Sequence, residues 1–350
     1  MKRAAFVVPG SLETPTGGYA YDRRMICELE RLGWHIDVHD IGEGFPWPSP
    51  ATLSAARTRL ATVGPGRPVV VDGLALGVLP DIASELARRN SLLGLVHHPL
   101  ALESGLSADQ SELLRRSERT ALAFARGVVV TSPATARIVA SDYSVPTDRI
   151  TVALPGNDPS PRARGSRDLG VPHLLSVGAV VPRKGFDVLV AALATLIGLP
   201  WRLTIAGDLT RDAACAAKLQ SEIARHGLAG RIAVLGAVPS EQLATLYDSA
   251  DVFVLASHFE GYGMAFSEAL AHGLPVIGTS VGAIAETVPD EAGLLVAPGS
   301  SAQLAEALHR VLTDSGLRLR LEEGALAAAR HLPSWAESAA IFESALEALP

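Results

Sequence analysis

The chain has 350 residues, of which 48% are hydrophobic and 19% are charged, and its formal net charge is -7. This length favours two domains rather than one, and the apolar content is enough to bury two cores. A net negative charge argues against a nucleic-acid partner, because nonspecific binding to phosphates needs a basic surface. The two cysteines, Cys27 and Cys215, show no metal-ligand spacing and are typical of free thiols in a reducing compartment.

The N-terminus and the apolar runs bear on where the protein is located. After a basic start, the chain has an apolar stretch of only about five residues before Pro9, which is too short for the hydrophobic region of a signal peptide. The longest apolar run, 188–199, falls short of the about 20 residues that a membrane-spanning helix needs. We therefore expect a cytoplasmic protein, and peripheral contact with the inner face of the membrane stays open.

Short apolar runs alternate with helical stretches along the first part of the chain. A helical stretch is predicted over 21–32, and strands are predicted at 4–8, 36–38, 69–71, 93–96, 128–130 and 150–153. A segment rich in proline, glycine and charge follows over 155–168 and is interpreted as an interdomain linker. Short buried strands joined by helices indicate a parallel sheet that is covered on both faces.

The same alternation restarts after the linker. Strands are predicted at 174–177, 202–206, 232–235, 252–255, 276–277 and 293–296, and helices at 185–197, 302–313, 317–331 and 335–349. Two such runs predict an α/β protein with two Rossmann-like, doubly wound domains. We place the N-terminal domain at 1–156, the linker at 157–170, the C-terminal domain at 171–334 and a final helix at 335–350. Ligands of such sheets bind at the carboxyl ends of the strands.

One loop at such a strand end carries two glutamates and leads into a helix. Gly261 and Gly263 lie just after Glu260, and glycines there let a ligand approach the backbone. A helix start presents unpaired N–H groups, which suit a phosphate or a row of hydroxyls. Glu260 falls in the loop and Glu268 about one turn inside the helix, where both carboxylates can accept hydrogen bonds from sugar or ribose hydroxyls. The alternative is a surface turn with two solvated glutamates.

A second loop, 178–185, places Arg183 beside Lys184 between a strand and a helix. Two adjacent cations suit a diphosphate that departs with negative charge, although such a pair taken alone is more often solvated. A third loop has Gly17 and Gly18 after the first strand, without the full G-x-G-x-x-G pattern of dinucleotide sites. Glu286 follows the strand at 276–277, where it could take a hydroxyl or the cationic pair, or be an exposed residue of a helix start.

A pair of histidines, His97 and His98, ends the predicted strand at 93–96. A histidine at this position can face the ligand crevice of the sheet, although either residue taken singly is more often structural. No metal-ligand spacing surrounds the pair, so no metal site is predicted.

The order and spacing of these motifs resemble the retaining glycosyltransferases of family 4, which have the GT-B fold. Glu260 and Glu268 match the E-x7-E motif of the family, and residues 247–257 resemble the run that leads into it. Residues 178–185 resemble the family's glycine–lysine loop, and 206–208 resemble its next strand end. In one departure, the family has arginine directly after the first glycine of that loop, where this chain has Ala179. The resemblance covers the C-terminal domain and, more loosely, the N-terminal one.

The resemblance implies a role for each matching residue. Arg183 and Lys184 would hold the donor diphosphate and stabilise it as it leaves. Glu268 would bind the ribose hydroxyls, and Glu260 the hydroxyls of the transferred sugar. His97, with His98 as the competing candidate, would lie near the donor sugar. The other residues expected at the donor are Gly17, Gly18, Gly178, Gly207, Gly261, Tyr262, Gly263, Met264 and Glu286.

The resemblance implies an enzyme that moves a hexose from a nucleotide diphosphate sugar with retention of anomeric configuration. A UDP-sugar is favoured by its frequency in the family, and neither a metal nor another cofactor is expected. The final helix resembles the family's tail that crosses back to the N-terminal domain. The acceptor stays open among a lipid, a polysaccharide and a small metabolite. Alternatives are an epimerase or a phosphorylase on the same fold, and a non-catalytic protein that binds nucleotide sugars.

Overall fold

The computed structural model describes residues 2–166 and 170–350. The chain divides into two compact units, one formed by Met1–Gly156 with Pro333–Pro350 and the other by Asn157–Leu332. The second unit therefore starts at the first residue of the predicted linker, and residues 167–169 of that linker lie outside the described residues. Each unit has its own parallel sheet and its own cluster of buried apolar side chains.

The first unit, unit 1, contains six strands and seven helices among its described residues. The strands are β1 (Lys2–Val8), β2 (Trp34–Asp40), β3 (Pro68–Asp72), β4 (Ser91–Val96), β5 (Gly127–Val130) and β6 (Ile150–Val152). The helices are α1 (Gly17–Arg31), α2 (Pro50–Ala61), α3 (Gly73–Leu76), α4 (Pro80–Ala87), α5 (Ala108–Leu122), α6 (Pro133–Tyr143) and, at the end of the chain, α14 (Trp335–Glu347).

The sheet of unit 1 is parallel, in the order β2-β1-β3-β4-β5-β6. The order reverses between β1 and β3, and in doubly wound sheets a ligand crevice opens at the carboxyl ends of the strands at such a switch point. In the register of this pair, Val7 lies opposite Val71, so both strands end at the same edge. The loops after β1 and β3, and the neighbouring loop after β4, therefore lie together at one sheet edge.

Helix α14 packs within unit 1, although it lies at the far end of the sequence. Its first residue, Trp335, lies against Tyr21 at 5.9 Å between ring centroids, and the guanidinium of Arg24 lies 5.2 Å over the Trp335 ring. The indole N–H of Trp34 donates to Glu343 at 2.9 Å. These contacts make α14 part of the fold of unit 1.

The second unit, unit 2, also contains six strands and seven helices among its described residues. The strands are β7 (His173–Val177), β8 (Arg202–Ala206), β9 (Ile232–Val234), β10 (Val252–Val254), β11 (Val276–Thr279) and β12 (Gly293–Val296). The helices are α7 (Phe186–Ala194), α8 (Ala213–Arg225), α9 (Ser240–Ser249), α10 (Met264–Ala271), α11 (Ile284–Thr287), α12 (Ser301–Thr313) and α13 (Ser315–Ala329).

The sheet of unit 2 is parallel, in the order β12-β11-β10-β7-β8-β9, so its switch point lies between β7 and β10. In the register of this central pair, Val252 lies opposite Leu174 and Phe253 opposite Leu175. Strands β7 and β10 are buried except for Val177 at the end of β7, as a parallel sheet covered on both faces requires. The prediction of two doubly wound α/β domains is confirmed. Among the described residues, no helix is long and apolar enough to cross a membrane.

Candidate active site

The two loops singled out in the C-terminal half lie at the switch point of unit 2. Residues 178–185 follow β7, and residues 255–263 follow β10, so both loops leave neighbouring strands at their carboxyl ends. A backbone hydrogen bond joins them, since His258 N–H donates to the Arg183 carbonyl at 2.7 Å. The topology therefore brings the predicted cationic loop and the predicted acidic loop into contact.

The carboxylate of Glu260 lies between both predicted cations. Its Oε1 accepts from Lys184 Nζ at 2.6 Å, and its Oε2 accepts from Arg183 Nη1 at 3.2 Å. The hydroxyl of Ser257 donates to the same Oε1 at 2.6 Å. Arg183 also donates to the Phe259 carbonyl at 2.8 Å, which fixes the guanidinium against the loop. We call Arg183, Lys184, Ser257 and Glu260 the ionic cluster.

The ionic cluster keeps Glu260 charged. Burial disfavours the carboxylate form, but Lys184, Arg183 and the Ser257 hydroxyl outweigh this effect and lower the pKa of Glu260 to about 2. Only 6% of its side chain is exposed. Glu260 is thus an acceptor of hydrogen bonds at neutral pH and cannot act as a proton donor. With two cations and one carboxylate, the cluster retains net positive charge, which suits an anionic ligand group.

Backbone packing from the loop after β11 holds Glu260 in place. The Ala283 N–H donates to the Glu260 carbonyl at 3.1 Å. Gly282 passes so close that a Cβ there would lie 2.1 Å from the same oxygen, and its φ of +53° also favours glycine. Glu286, which was expected at the donor, is an exposed residue of α11. The contacts on the Glu260 carbonyl therefore come from Gly282 and Ala283, which the sequence analysis did not assign.

The predicted glycines of the first loop make room for protein groups. A Cβ on Gly178 would lie 3.1 Å from Lys184 Cε, so the lysine stem crosses this glycine. A Cβ on Gly207 would lie 1.8 Å from the Gly178 carbonyl oxygen, which brings the end of β8 against the loop after β7. Gly178 and Gly207 thus leave the space in which the side chain of Lys184 packs.

Helix α10 carries the second predicted glutamate. Gly263, with φ of +89°, is the N-terminal cap, and Met264 is the first helical residue. The hydroxyl of Tyr247 donates to Glu268 Oε2 at 2.8 Å. Burial raises the pKa of Glu268, and the Tyr247 hydroxyl opposes this shift. The phenol is itself fixed by stacking on His272 at 5.1 Å, so Glu268 is held by a rigid neighbour.

Gly261 and Tyr262, both expected at the donor, lie between Glu260 and the glycine cap of α10. Gly261 and Tyr262 are both buried, and the Tyr262 carbonyl accepts from the Thr287 hydroxyl at 3.4 Å. Tyr262 therefore contributes to the packing of the loop after β10.

The predicted residues of unit 1 also gather at a switch point. His97, just after β4, has its Nε2 atom 3.0 Å from Asp22 on α1 and 3.4 Å from Asp72 at the end of β3. A Cβ on Gly18 would lie 3.2 Å from His97 Cδ2, so this glycine leaves space for the imidazole. His98 instead lies 3.4 Å from Glu103. Gly18 thus packs against His97, and the side chains of His97 and His98 have different partners.

Gly17 is the first residue of α1 and is exposed. Helix α1 starts four residues before the predicted stretch at 21–32, because the Thr16 hydroxyl caps it by accepting from the Tyr19 N–H at 3.3 Å. The glycine pair is therefore part of the helix start rather than of a preceding turn.

Four residues of these sites were not assigned by the sequence analysis. Ser257 lies three residues after β10 and Asp72 is the last residue of β3, so the rule that ligands bind at strand ends could have found them. Tyr247 belongs to the run at 247–257, but its contact with Glu268 is not readable from spacing. Asp22 lies 75 residues from His97 in sequence, and no local pattern indicates the contact.

Residues 160–327 match the family described as Glycosyl transferases group 1. The chain is 34% identical over 239 residues to a D-inositol 3-phosphate glycosyltransferase of Nocardia farcinica, which covers 63% of this chain and 52% of the relative. It is 31% identical over 277 residues to the protein of the same name from Corynebacterium efficiens, covering 73% of this chain and 65% of the relative. The chain thus spans about half the length of the first relative.

Two solved structures are similar over nearly the whole chain. Sucrose-phosphate synthase from Thermosynechococcus elongatus superimposes with a TM-score of 0.83 at 23% identity, covering 98% of each chain. HepE from Anabaena, solved in complex with UDP and glucose, gives 0.82 at 20% identity and covers 100% of each chain. These likenesses confirm the predicted GT-B fold. Residues 160–327 therefore carry the sequence pattern of glycosyl transferases group 1, on a chain with the GT-B fold.

Proposed function

We propose that this protein is a retaining glycosyltransferase of family 4 that moves a hexose from a nucleotide diphosphate sugar, with a UDP-sugar as the first candidate, to an acceptor still to be identified. The observation that carries the proposal is the ionic cluster, which sets two cations and one charged glutamate at the switch point of the unit that matches Glycosyl transferases group 1. The similar HepE structure was solved with UDP and glucose, which supports the choice of donor.

The cations of the cluster suit the leaving group of such a reaction. When the bond to the anomeric carbon breaks, negative charge builds on the departing diphosphate and positive charge on the sugar ring. Arg183 and Lys184 would stabilise the diphosphate, and the bonds of both to Glu260 hold them in position before the reaction. This role needs no metal ion, since the cations supply the charge.

The glutamates would bind the donor rather than act on its bonds. Glu260 stays ionised because its pKa is lowered to about 2, so it accepts hydrogen bonds from hydroxyls of the transferred sugar. Glu268 would accept those of the ribose, and the start of α10 would add backbone N–H groups. Without a proton donor or a covalent nucleophile assigned in the cluster, a front-face path fits best, in which the leaving phosphate takes the proton of the acceptor.

Donor hydrolysis tests the proposal without knowledge of the acceptor. The purified protein is incubated with UDP-, GDP-, ADP- and dTDP-hexoses, and released nucleoside diphosphate is measured. We expect release from one class of donor, with Lys184→Ala lowering kcat by roughly 100-fold or more. Glu268→Ala is expected to raise KM by roughly 10-fold or more, because a hydrogen bond to a charged group is lost.

Lys218→Ala is the matched control for Lys184→Ala. Lys218 is an exposed lysine of α8 in the same unit, 3.3 Å from Asp187, and its removal should leave kcat and KM unchanged. Circular dichroism checks that each variant is folded. Unchanged kcat in Lys184→Ala would show that the diphosphate role is wrong. Tight binding of one donor with no release from any would favour a non-catalytic binding protein.

A further inference from the structure

The group formed by Asp22, Asp72 and His97, which we call the histidine clamp, lies at the switch point of unit 1. Both carboxylates approach the same ring nitrogen, Nε2, with Asp22 Oδ1 at 3.0 Å and Asp72 Oδ2 at 3.4 Å. Asp22 is fully buried and Asp72 is 3% exposed. Two carboxylates from different elements thus converge on a single atom of one imidazole.

The imidazole ring is fixed on its other sides. Tyr21 lies edge-on to it, with 5.3 Å between ring centroids and 78° between ring planes. Gly18 lies on the Cδ2 and Nε2 side, where a Cβ would come within 3.2 Å. The His97 carbonyl accepts from the Thr131 hydroxyl at 3.1 Å, which holds the backbone. The ring therefore cannot turn to exchange its two nitrogens without disturbing several neighbours.

The charges of the clamp need a cation at its centre. Asp72 Oδ1 accepts from the Leu74 N–H at 2.7 Å as the N-terminal cap of α3, which leaves Oδ2 turned to His97. Asp22 Oδ2 is buried and accepts no hydrogen bond within residues 2–166 and 170–350, so charge on Asp22 must be compensated through Oδ1. Two buried carboxylates facing a neutral imidazole would repel each other, whereas an imidazolium attracts both.

The direction of the pKa shift agrees with this geometry. Burial by itself lowers the pKa of His97, but the charges and hydrogen bonds of Asp22 and Asp72 outweigh burial and raise it. Burial raises the pKa of Asp22 and the neighbouring carboxyl group of Asp72 raises it further, while the charge and hydrogen bond of His97 oppose that shift. Tyr21, which is also titratable, lies against the ring, and burial raises its pKa, so it stays neutral.

We propose that Asp22 and Asp72 are positioning residues that hold His97 as an imidazolium, with Nε2 bound to the carboxylates and Nδ1 left to donate its proton to an oxygen of the ligand. A neutral His97 could offer Nδ1 as a base. The imidazolium cannot, because both ring nitrogens carry hydrogen. The clamp therefore makes His97 a charged hydrogen-bond donor and excludes it as a general base at neutral pH. Its catalytic consequence rests on the proposed function; its protonation state does not.

Nitrogen-15 NMR of histidine-labelled protein tests the protonation state directly. His97→Gln identifies the resonances of His97 among those of the ten histidines. An ordinary histidine loses its proton near pH 6.5. We expect His97 to keep the shifts of an imidazolium from about pH 6 to about pH 8.5. Deprotonation of His97 near pH 6.5 in the wild-type protein would overturn the proposal, with no variant needed.

Substitutions of Asp22 and Asp72 test whether these residues set the protonation state of His97 or only pack against it. Asp22→Asn and Asp72→Asn keep the shape and remove a charge, so each should lower the pH at which His97 deprotonates by about one unit or more. Asp81→Asn, on the exposed start of α4 in the same unit, should leave it unchanged. Unchanged titration of His97 in a folded Asp22→Asn protein would contradict the clamp.

A divalent cation is the competing occupant, because the nearest donor atoms of these three side chains lie within 4.8 Å of one another. The spectra are therefore recorded with EDTA and again with stoichiometric zinc. The clamp predicts that neither addition changes the His97 shifts. Loss of the imidazolium on adding zinc at pH 7 would overturn it in favour of a metal site.

The donor-hydrolysis assay then links the clamp to activity. In the wild-type protein His97 stays protonated, so the rate of hydrolysis should not fall between about pH 6 and about pH 8.5 through loss of the His97 proton. In Asp22→Asn, the rate should fall at the lower pH where its His97 deprotonates. If His97 stays an imidazolium but the protein hydrolyses no donor, the proposed function is wrong and the histidine clamp is still supported. Equal pH profiles for both proteins, with shifted NMR titrations, would show that His97 has no part in the reaction.

Discussion

Tyr247 is the side chain through which the ribose role of Glu268 can be tested. Its hydroxyl donates to Glu268 Oε2 at 2.8 Å and fixes the orientation of that carboxylate. Tyr247→Phe removes the hydrogen bond and little volume, so UDP affinity should fall about 3- to 10-fold, as expected for the loss of one ordinary hydrogen bond. Calorimetric titration with UDP measures this loss.

The same titration with 2′,3′-dideoxy-UDP provides the discriminating comparison. If Glu268 binds the ribose hydroxyls, Tyr247→Phe should change the affinity of this analogue little, because the contact that the tyrosine orients is absent from the ligand. Tyr143→Phe, a buried tyrosine of unit 1, is the control and should change neither affinity. An equal loss for both ligands would assign Tyr247 to packing alone.

At the level of single residues, spacing predicted which side chains carry charge near the strand ends but not how they pair. Lys184 and Glu260 were both assigned from the sequence, each to a part of the donor. The structure adds that they contact each other at 2.6 Å, a contact between residues 76 apart. Such pairing depends on the strand order of the sheet, and a single sequence contains no direct signal for strand order. Asp22 was missed for the same reason.

Gly185 shows how one element boundary supports the ionic cluster. It separates the 3₁₀ turn Pro182–Lys184 from α7, with φ of +62°, and a Cβ there would lie 2.0 Å from the Ala256 carbonyl oxygen. Gly185→Ala should lower the free energy of unfolding by about 2–4 kcal/mol, from backbone strain plus the clash. Urea denaturation measures the change.

Gly227→Ala is the matched control for this prediction. Gly227 has a similar φ of +69°, but no heavy atom lies within 4 Å of the Cβ position, apart from those of the residue and its chain neighbours. Its substitution should cost only the backbone strain, about 1 kcal/mol. Equal losses in the two variants would show that the approach to Ala256 relaxes without cost.

Glu118 ties α5 to the segment after β4. Its carboxylate accepts from the Leu100 N–H at 3.0 Å, and the residue is 1% exposed. Burial raises the pKa of Glu118 to about 8, against which the Leu100 N–H and Tyr143 act in part. Between pH 4.5, the ordinary pKa of a glutamate, and about pH 8, the folded protein keeps the proton on Glu118 whereas the unfolded chain loses it. The contribution of this group to the free energy of unfolding is therefore complete below pH 4.5 and is lost as the pH rises to about 8.

Glu118→Gln removes this pH dependence, because the amide keeps an acceptor for Leu100 but does not titrate. The free energy of unfolding of the variant should exceed that of wild type by an amount that grows from pH 4.5 and reaches about 2–4 kcal/mol near pH 8. Glu112→Gln, at an exposed position of the same helix α5, is the control and should not alter the profile. A constant difference at all pH values would contradict the assignment.

Elements were easier to predict than their ends. The structure contains strands at the predicted positions 128–130, 202–206 and 293–296. The helix predicted over 185–197 ends at Ala194, and α1 begins at Gly17 instead of residue 21. Ends depend on capping by single side chains, such as Thr16, and on packing, which the apolar pattern does not contain.

For the whole molecule, alternation of strands and helices predicted two doubly wound sheets, because short buried strands joined by helices have few other stable arrangements. The strand orders themselves were not predicted. The apolar pattern of the last helix also did not predict which residues contact it, because Tyr21 and Trp34, which contact α14, lie more than 300 positions earlier in the chain. Those contacts make unit 1 discontinuous in sequence.

The discontinuity predicts that a change in α14 affects the start of the chain. Phe342 is fully buried in α14, and Phe342→Ala should destabilise unit 1 by about 3–5 kcal/mol through lost burial and a cavity. Hydrogen exchange followed by mass spectrometry should show faster exchange in α1, whereas α10 of unit 2 keeps its protection. Ile341→Ala, on the neighbouring residue that is 43% exposed, should change neither. Faster exchange in α10 but not in α1 would mean that the final helix belongs to the stability of unit 2.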